Sequence, residues 1–258
     1  SIFQTLVRTN VESIRSLIHA LLTTNVTHLD LSSNALTPHG IALLFENLHK
    51  TSIKVLNLSN KRASSVYSYH HTNNQLGTTG ANAVSAYLSS TNPANHKLKT
   101  LQLVGIGYNG FQIIMNGLNY NTSLYVLDIS SNDLHGQLLC DLCTSLSKTC
   151  IKKLHLAYNR INSTVCIGLN ILISKSKHLI YIDLTGCELG HDGMDAVIHT
   201  LKASLDSTGG TRTLVSLILD NNVHMGEKGI EGLSTAFEHN TSIQHLSLVE
   251  CGIQDGME

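Results

Sequence analysis

Apolar residues recur along this chain in one spacing, L-x-x-L-x-L, with polar residues between. The first copy is "VTHLDLSSNAL", from Val26. "IKVLNLS" follows from Ile53, "LKTLQLVGIGY" from Leu98, "LYVLDISSNDL" from Leu124 and "IKKLHLAYNRI" from Ile151. "LIYIDLTGCEL" starts at Leu179, "LVSLILDNNVH" at Leu214 and "IQHLSLVECGI" at Ile243. The L-x-L core alternates, so it predicts a short strand with its leucines turned to one side and the residues between them to the other. After each strand the period changes. Ile41, Leu44, Phe45 and Leu48 follow helical spacing and predict an inward helix face. Val11 to Leu22 reads as the helix of an incomplete first unit. No such unit buries its apolar face alone, so neighbours must stack.

The second copy is interrupted. In the first, two residues separate Leu31 from Asn34; in the second, the leucine is Leu58 and the matching asparagine is Asn74. Between them lies "KRASSVYSYHHT", Lys61 to Thr72. Its Ser, Lys and Arg content keeps it in solvent, while Tyr67 and Tyr69 give it surface to bury against a partner. It is expected at the rim, over the C-terminal ends of the strands. Two longer connections, "SSTNPANHK" from Ser89 and "DSTGGTRT" from Asp206, carry turn residues.

Extended to L-x-x-L-x-L-x-x-N/C-x-L, the pattern resembles the leucine-rich repeat family. The Asn/Cys alternation is similar to the ribonuclease-inhibitor-like type, as is a glycine six residues later at Gly40, Gly80 and Gly193. Ile106 departs from the Asn slot, and Val165 from the glycine. The resemblance implies an α/β solenoid, a horseshoe with parallel strands on the concave face and helices on the convex face. It implies one domain over 1–258, with 1–25 an incomplete repeat, about eight repeats over 26–258, and an insertion near 60–73. The eighth copy reaches Glu258 where its helix should begin, leaving a further cap or a ragged end as alternatives. Function, by the same resemblance, is clasping another protein.

The outward strand positions then become the candidate surface. Acidic residues dominate it: Asp30, Asp128, Asp183 and Asp220, with Glu250 one position later, against Lys153. A partner with a basic patch is favoured over a phosphate backbone. The competing reading is that Asp in "LDLS" serves solubility. Tyr158 and Tyr181 concentrate the aromatic surface beside His155 and Lys153, and tyrosine buries area at low entropic cost while keeping a polar handle. Arg62, Tyr67, Tyr69 and His70 of the insertion complete the candidate protein-binding set.

Composition narrows the alternatives. The 258 residues include 42% hydrophobic, 5% aromatic and 14% charged residues, with a net charge of −1. That balance does not suit a nucleic-acid binder. No apolar run spans a membrane, and the first 22 residues lack the basic start and cleavage site of a signal peptide. The six cysteines sit among apolar positions and read as reduced thiols of a cytosol-like compartment. Cys140 and Cys143 form a C-x-x-C, but Cys143 falls on an inward helix position with Phe45 and Ile198, so core thiols are expected. His70 and His71 lack further donors at ligand spacing, so no metal is expected. "VGIGYNG" lacks the lysine and serine of a phosphate loop. No cofactor and no catalysis follow.

The expected function is a protein-binding scaffold, monomeric on its own, that is effector- or inhibitor-like and acts through its concave face and the 60–73 loop. Abundant Asn, Ser, Thr and His with no Trp also resemble the leucine-rich-repeat effectors that bacterial pathogens deliver into host cells. On that resemblance the partner is a host protein or another effector, and the location the host cytosol. Alternatives are a regulatory module of a GTPase or ubiquitin pathway, and the recognition domain of a larger enzyme.

Overall fold

The computed structural model describes residues 2–60, 73–203, 213–238 and 240–253. The chain forms two compact units, Ser1–Asp128 and Ile129–Glu258.

In the first unit, α1 (Ile2–Leu22) precedes β1 (His28–Asp30), α2 (Pro38–Leu48), β2 (Val55–Asn57) and α3 (Gly77–Ser89). A 3-10 turn, Pro93–Lys97, leads to β3 (Thr100–Gln102), α4 (Tyr108–Leu118) and β4 (Val126–Asp128). The second unit holds α5 (Gly136–Leu146), β5 (Lys153–His155), α6 (Ser163–Lys175), β6 (Tyr181–Asp183) and α7 (His191–Ala203). It ends with β7 (Ser216–Ile218), α8 (Gly226–Phe237) and β8 (His245–Ser247). Within each unit consecutive strands pair in parallel without a register shift: Leu29, Leu56, Leu101 and Leu127 align, as do Leu154, Ile182, Leu217 and Leu246. Each unit is therefore a run of α/β leucine-rich repeats, the solenoid fold that the spacing implies. Helix α1 begins nine residues before the predicted Val11, and Ile14, Ile18 and Leu21 form its buried stripe.

The central residues Leu56, Leu101, Leu127, Leu154, Ile182 and Leu217 are fully buried, Leu29 and Leu246 of β1 and β8 are half-buried, and the predicted face of α2, Ile41, Leu44, Phe45 and Leu48, is buried. Thr37 caps α2, its side chain accepting from Gly40 N, and Pro38 occupies the first turn where its missing N–H costs nothing. Cys140, Cys143, Cys166, Cys187 and Cys251 are buried, and all six thiols are free. Burial pushes Cys187 up to about 12 and Cys143 upward too, which disfavours the thiolate.

The asparagine slot explains why the insertion leaves the fold intact. Asn159 Nδ2 donates to Ile129 O and Leu156 O, at 3.1 and 2.8 Å, and its Oδ1 accepts from Asn132 N and Leu134 N. Asn74 repeats this pattern across the insertion, donating to Leu31 O and Leu58 O and accepting from Asn34 N and Leu36 N. Asn60 clamps the point of departure: its Oδ1 accepts from Asn74 N at 2.6 Å and its Nδ2 donates to Asn74 O and Gly105 O. The chain therefore leaves the repeat and rejoins it at buried amides, and the asparagine slot stays filled. Residues 61–72, including Arg62, Tyr67, Tyr69 and His70, lie outside the described residues, as does most of the Asp206 connection.

A second polar row lies where helices return to strands. Asn121 Nδ2 donates to Leu88 O, and its Oδ1 accepts from Ser123 N and Leu124 N; Asn240 does the same with Leu201 O, Ser242 N and Ile243 N. Among the described residues no helix is long and apolar enough to cross a membrane.

Candidate protein-binding site

The strand face of the second unit gathers most of the candidate residues. The register places Lys153 beside Tyr181 and His155 beside Asp183. The rings of His155 and Tyr181 lie 4.9 Å apart at 44°, and Lys153 Nζ sits 5.9 Å from the centre of the Tyr181 ring. This is the outer limit for a cation–π contact. His155 Nδ1 is 3.4 Å from Asp183 Oδ2. The other carboxylate oxygen accepts from Thr185 Oγ1 at 2.6 Å and Thr185 N at 3.0 Å. Burial alone would raise the Asp183 carboxyl, but bonds from His155 and Thr185 outweigh it and hold it below the ordinary value. Asp183 is thus a fixed anion between a histidine and a hydroxyl.

Tyr158 is built differently. It sits just before the asparagine slot, where the chain turns left-handed in repeat after repeat: Ser33, Ser131, Tyr158, Asn221 and Glu250 have φ between 52° and 57°, and Gly105 and Gly186 share the position. A bulky side chain there costs about 1 kcal/mol. Tyr158 is 40% exposed, and its ring lies across Gly186 of the next repeat. A Cβ on Gly186 would meet Tyr158 Cε1 at 2.5 Å and Cδ1 at 2.6 Å. Glycine here serves both the positive φ and the ring. Gly186→Ala is expected to lose about 2 kcal/mol in a denaturant titration, and the double variant with Tyr158→Ala to recover the part due to the ring.

The remaining candidates divide. Asp220, half-buried, accepts from Val249 N at 2.8 Å, and Glu250 is exposed at the left-handed position of the last described repeat. Asp128 belongs to the first unit, half-buried at the end of β4. In the first unit Asp30 accepts from Ser32 N and from Asn57 Nδ2, so the strand aspartates also serve the turn. Reasoning from the pattern missed Gly186, for which a glycine at the residue before Cys187 was the available signal. Alternation turns Thr185 outward with Asp183, but the pattern does not give its hydrogen bonds to that carboxylate. Among the described residues no three His, Cys, Asp or Glu side chains group so as to hold a metal ion.

The repeat, the strand–helix architecture and the open row of side chains along the strands are those of a leucine-rich-repeat protein. Three segments, 24–45, 175–197 and 239–256, match the family model described as Leucine Rich repeat. Over 180 residues, 68% of the chain, it is 30% identical to mouse "NACHT, LRR and PYD domains-containing protein 14", and 28% identical to the human protein of that name. Over 110 residues, 42% of the chain, it is 31% identical to human "NACHT, LRR and PYD domains-containing protein 13". The matches span 17%, 16% and 10% of those relatives' lengths.

Proposed function

We propose that this protein is a non-catalytic scaffold that holds another protein on the strand face of its second unit. The observation that carries the proposal is Tyr158, an aromatic kept in a strained left-handed turn and laid over Gly186, beside the His155–Tyr181–Asp183 cluster. Leucine-rich repeats in general present such extended surfaces to protein partners. Tyr158 and Tyr181 are the anchors, with Lys153 and His155 around them. On this face Asp183, Asp220 and Glu250 favour a partner with a basic patch; Asp128, on the first unit, is a separate candidate contact. Arg62, Tyr67, Tyr69 and His70 of the insertion are further candidate contacts for a protein partner. The finer form of the proposal is an inhibitor- or effector-like role in a cytosolic setting, which the free thiols support. The relatives' names, each with an LRR part beside NACHT and PYD domains, favour a second reading: a recognition module of a multidomain protein.

The test uses the intact protein and a Tyr158→Ala, Tyr181→Ala variant as baits in cell lysate. The variant is expected to melt normally, because neither side chain is in the core, and to bind the retained protein more weakly by about 2 kcal/mol. Equal retention by both baits would move the site away from this face.

A further inference from the structure

The first unit carries a charge asymmetry unrelated to the tyrosine face. One residue upstream of its strands runs a row set by backbone hydrogen bonds. Lys54 O accepts from Lys99 N and Thr100 N, at 2.8 and 3.0 Å, and Lys99 O accepts from Tyr125 N and Val126 N, at 2.8 and 3.0 Å. Lys54, Lys99 and Tyr125 therefore stand side by side, each about 4.8 Å from the next, one strand spacing. Like-charged side chains on neighbouring positions of this kind are unfavourable to each other. Lys99 Nζ lies 5.0 Å from the Tyr125 ring centre and donates to His96 O. Lys97 donates to His49 O and Thr51 O at the end of α2, where a cation opposes the negative end of the helix dipole. Lys50 donates to Asn47 Oδ1.

These contacts account for Lys97 and Lys50 as structural. They do not account for Lys54, which is exposed. Among the described residues none of the four lysines is in an ion pair. The unit's carboxylates lie elsewhere. Glu12 faces Arg15 on α1, Asp30 and Asp128 lie at the opposite ends of the strands, and Glu46, in the last turn of α2, is in no ion pair among the described residues.

We propose that this upstream rim, Lys54, Lys99 and Tyr125, is a second docking surface, and that it takes a carboxylate-rich segment of a partner protein. An acidic segment would relieve the lysine repulsion. Tyr125, 39% exposed, would offer it an apolar edge with a hydroxyl. The rim is narrow and the chain's net charge is −1, which suits a short acidic segment better than a nucleic-acid backbone that needs a longer basic track.

The experiment is fluorescence anisotropy with a labelled poly-glutamate peptide, a poly-lysine peptide and a short single-stranded RNA, at low and at physiological salt. The glutamate peptide is expected to bind, more weakly as salt rises. Lys54→Glu with Lys99→Glu should lower its affinity about tenfold or more, and the milder Lys54→Gln with Lys99→Gln should lower it less. Lys175→Glu with Lys177→Glu in the second unit should change nothing. Thermal melts establish that each variant is folded. Absence of glutamate-peptide binding, unchanged affinity in both rim variants, or tighter binding of RNA would overturn the proposal.

Discussion

Replacing Asn159 with alanine is expected to destabilise the second unit by about 4 kcal/mol. The side chain is 1% exposed and engages four backbone groups in two successive repeats. Alanine would take the amide acceptor from Asn132 N and Leu134 N and one of two donors from Ile129 O and Leu156 O, which keep Asn132 Nδ2 and the Cys187 thiol. A buried orphan costs about 1–3 kcal/mol, and partial relaxation keeps the total below the full sum. Asn159→Cys should fall between. Cysteine fills this slot at Cys187 and Cys251, donating from Sγ to Leu156 O at 3.3 Å and Leu219 O at 3.2 Å, yet a thiol replaces one donor and not the amide's other bonds. Denaturant titrations followed by circular dichroism should rank the three Asn, Cys, Ala. An alanine variant as stable as the parent would mean that the amide does not bind the repeats together.

Gly168→Ala should cost about 3 kcal/mol, against the helix propensity that favours alanine over glycine by about 1 kcal/mol. Gly168 is in α6, and a Cβ there would lie 2.2 Å from Cys140 O and 2.8 Å from Cys140 C and Cα. These are backbone atoms of α5 and have no rotamer to move to, so α6 must shift off α5. The first unit repeats the device: a Cβ on Gly117 of α4 would lie 2.4 Å from Ser85 O of α3. The sign of the change makes the measurement decisive. A raised melting temperature for Gly168→Ala would rule out the close approach of the two helices.

How much of this was legible depends on what each feature advertises. The buried leucines repeat in type and spacing, so strands, helix faces and register followed from the pattern. Asn74 could be matched to its slot across the insertion because the spacing resumes at Leu76, which is buried like Leu36. The left-handed turn was not legible, because it is held by Ser, Asn, Glu and Tyr as well as Gly, and only backbone geometry unites them. The return row of Asn121 and Asn240 carries a signal of its own, the recurring "NTS" before a strand, fainter than the leucine pattern. Outward placement of His155, Tyr181 and Asp183 followed from alternation. Their mutual contacts did not, since these depend on rotamers that no spacing specifies.

Whether a partner covers the strand face of the second unit is tested most directly by hydroxyl-radical footprinting of the intact protein, free and with the protein it retains from lysate. Tyr158 and Tyr181 are expected to lose reactivity in the complex while Tyr120 on the first unit, 75% exposed, keeps its own. Unchanged labelling of Tyr158 and Tyr181 in a demonstrated complex would contradict that coverage.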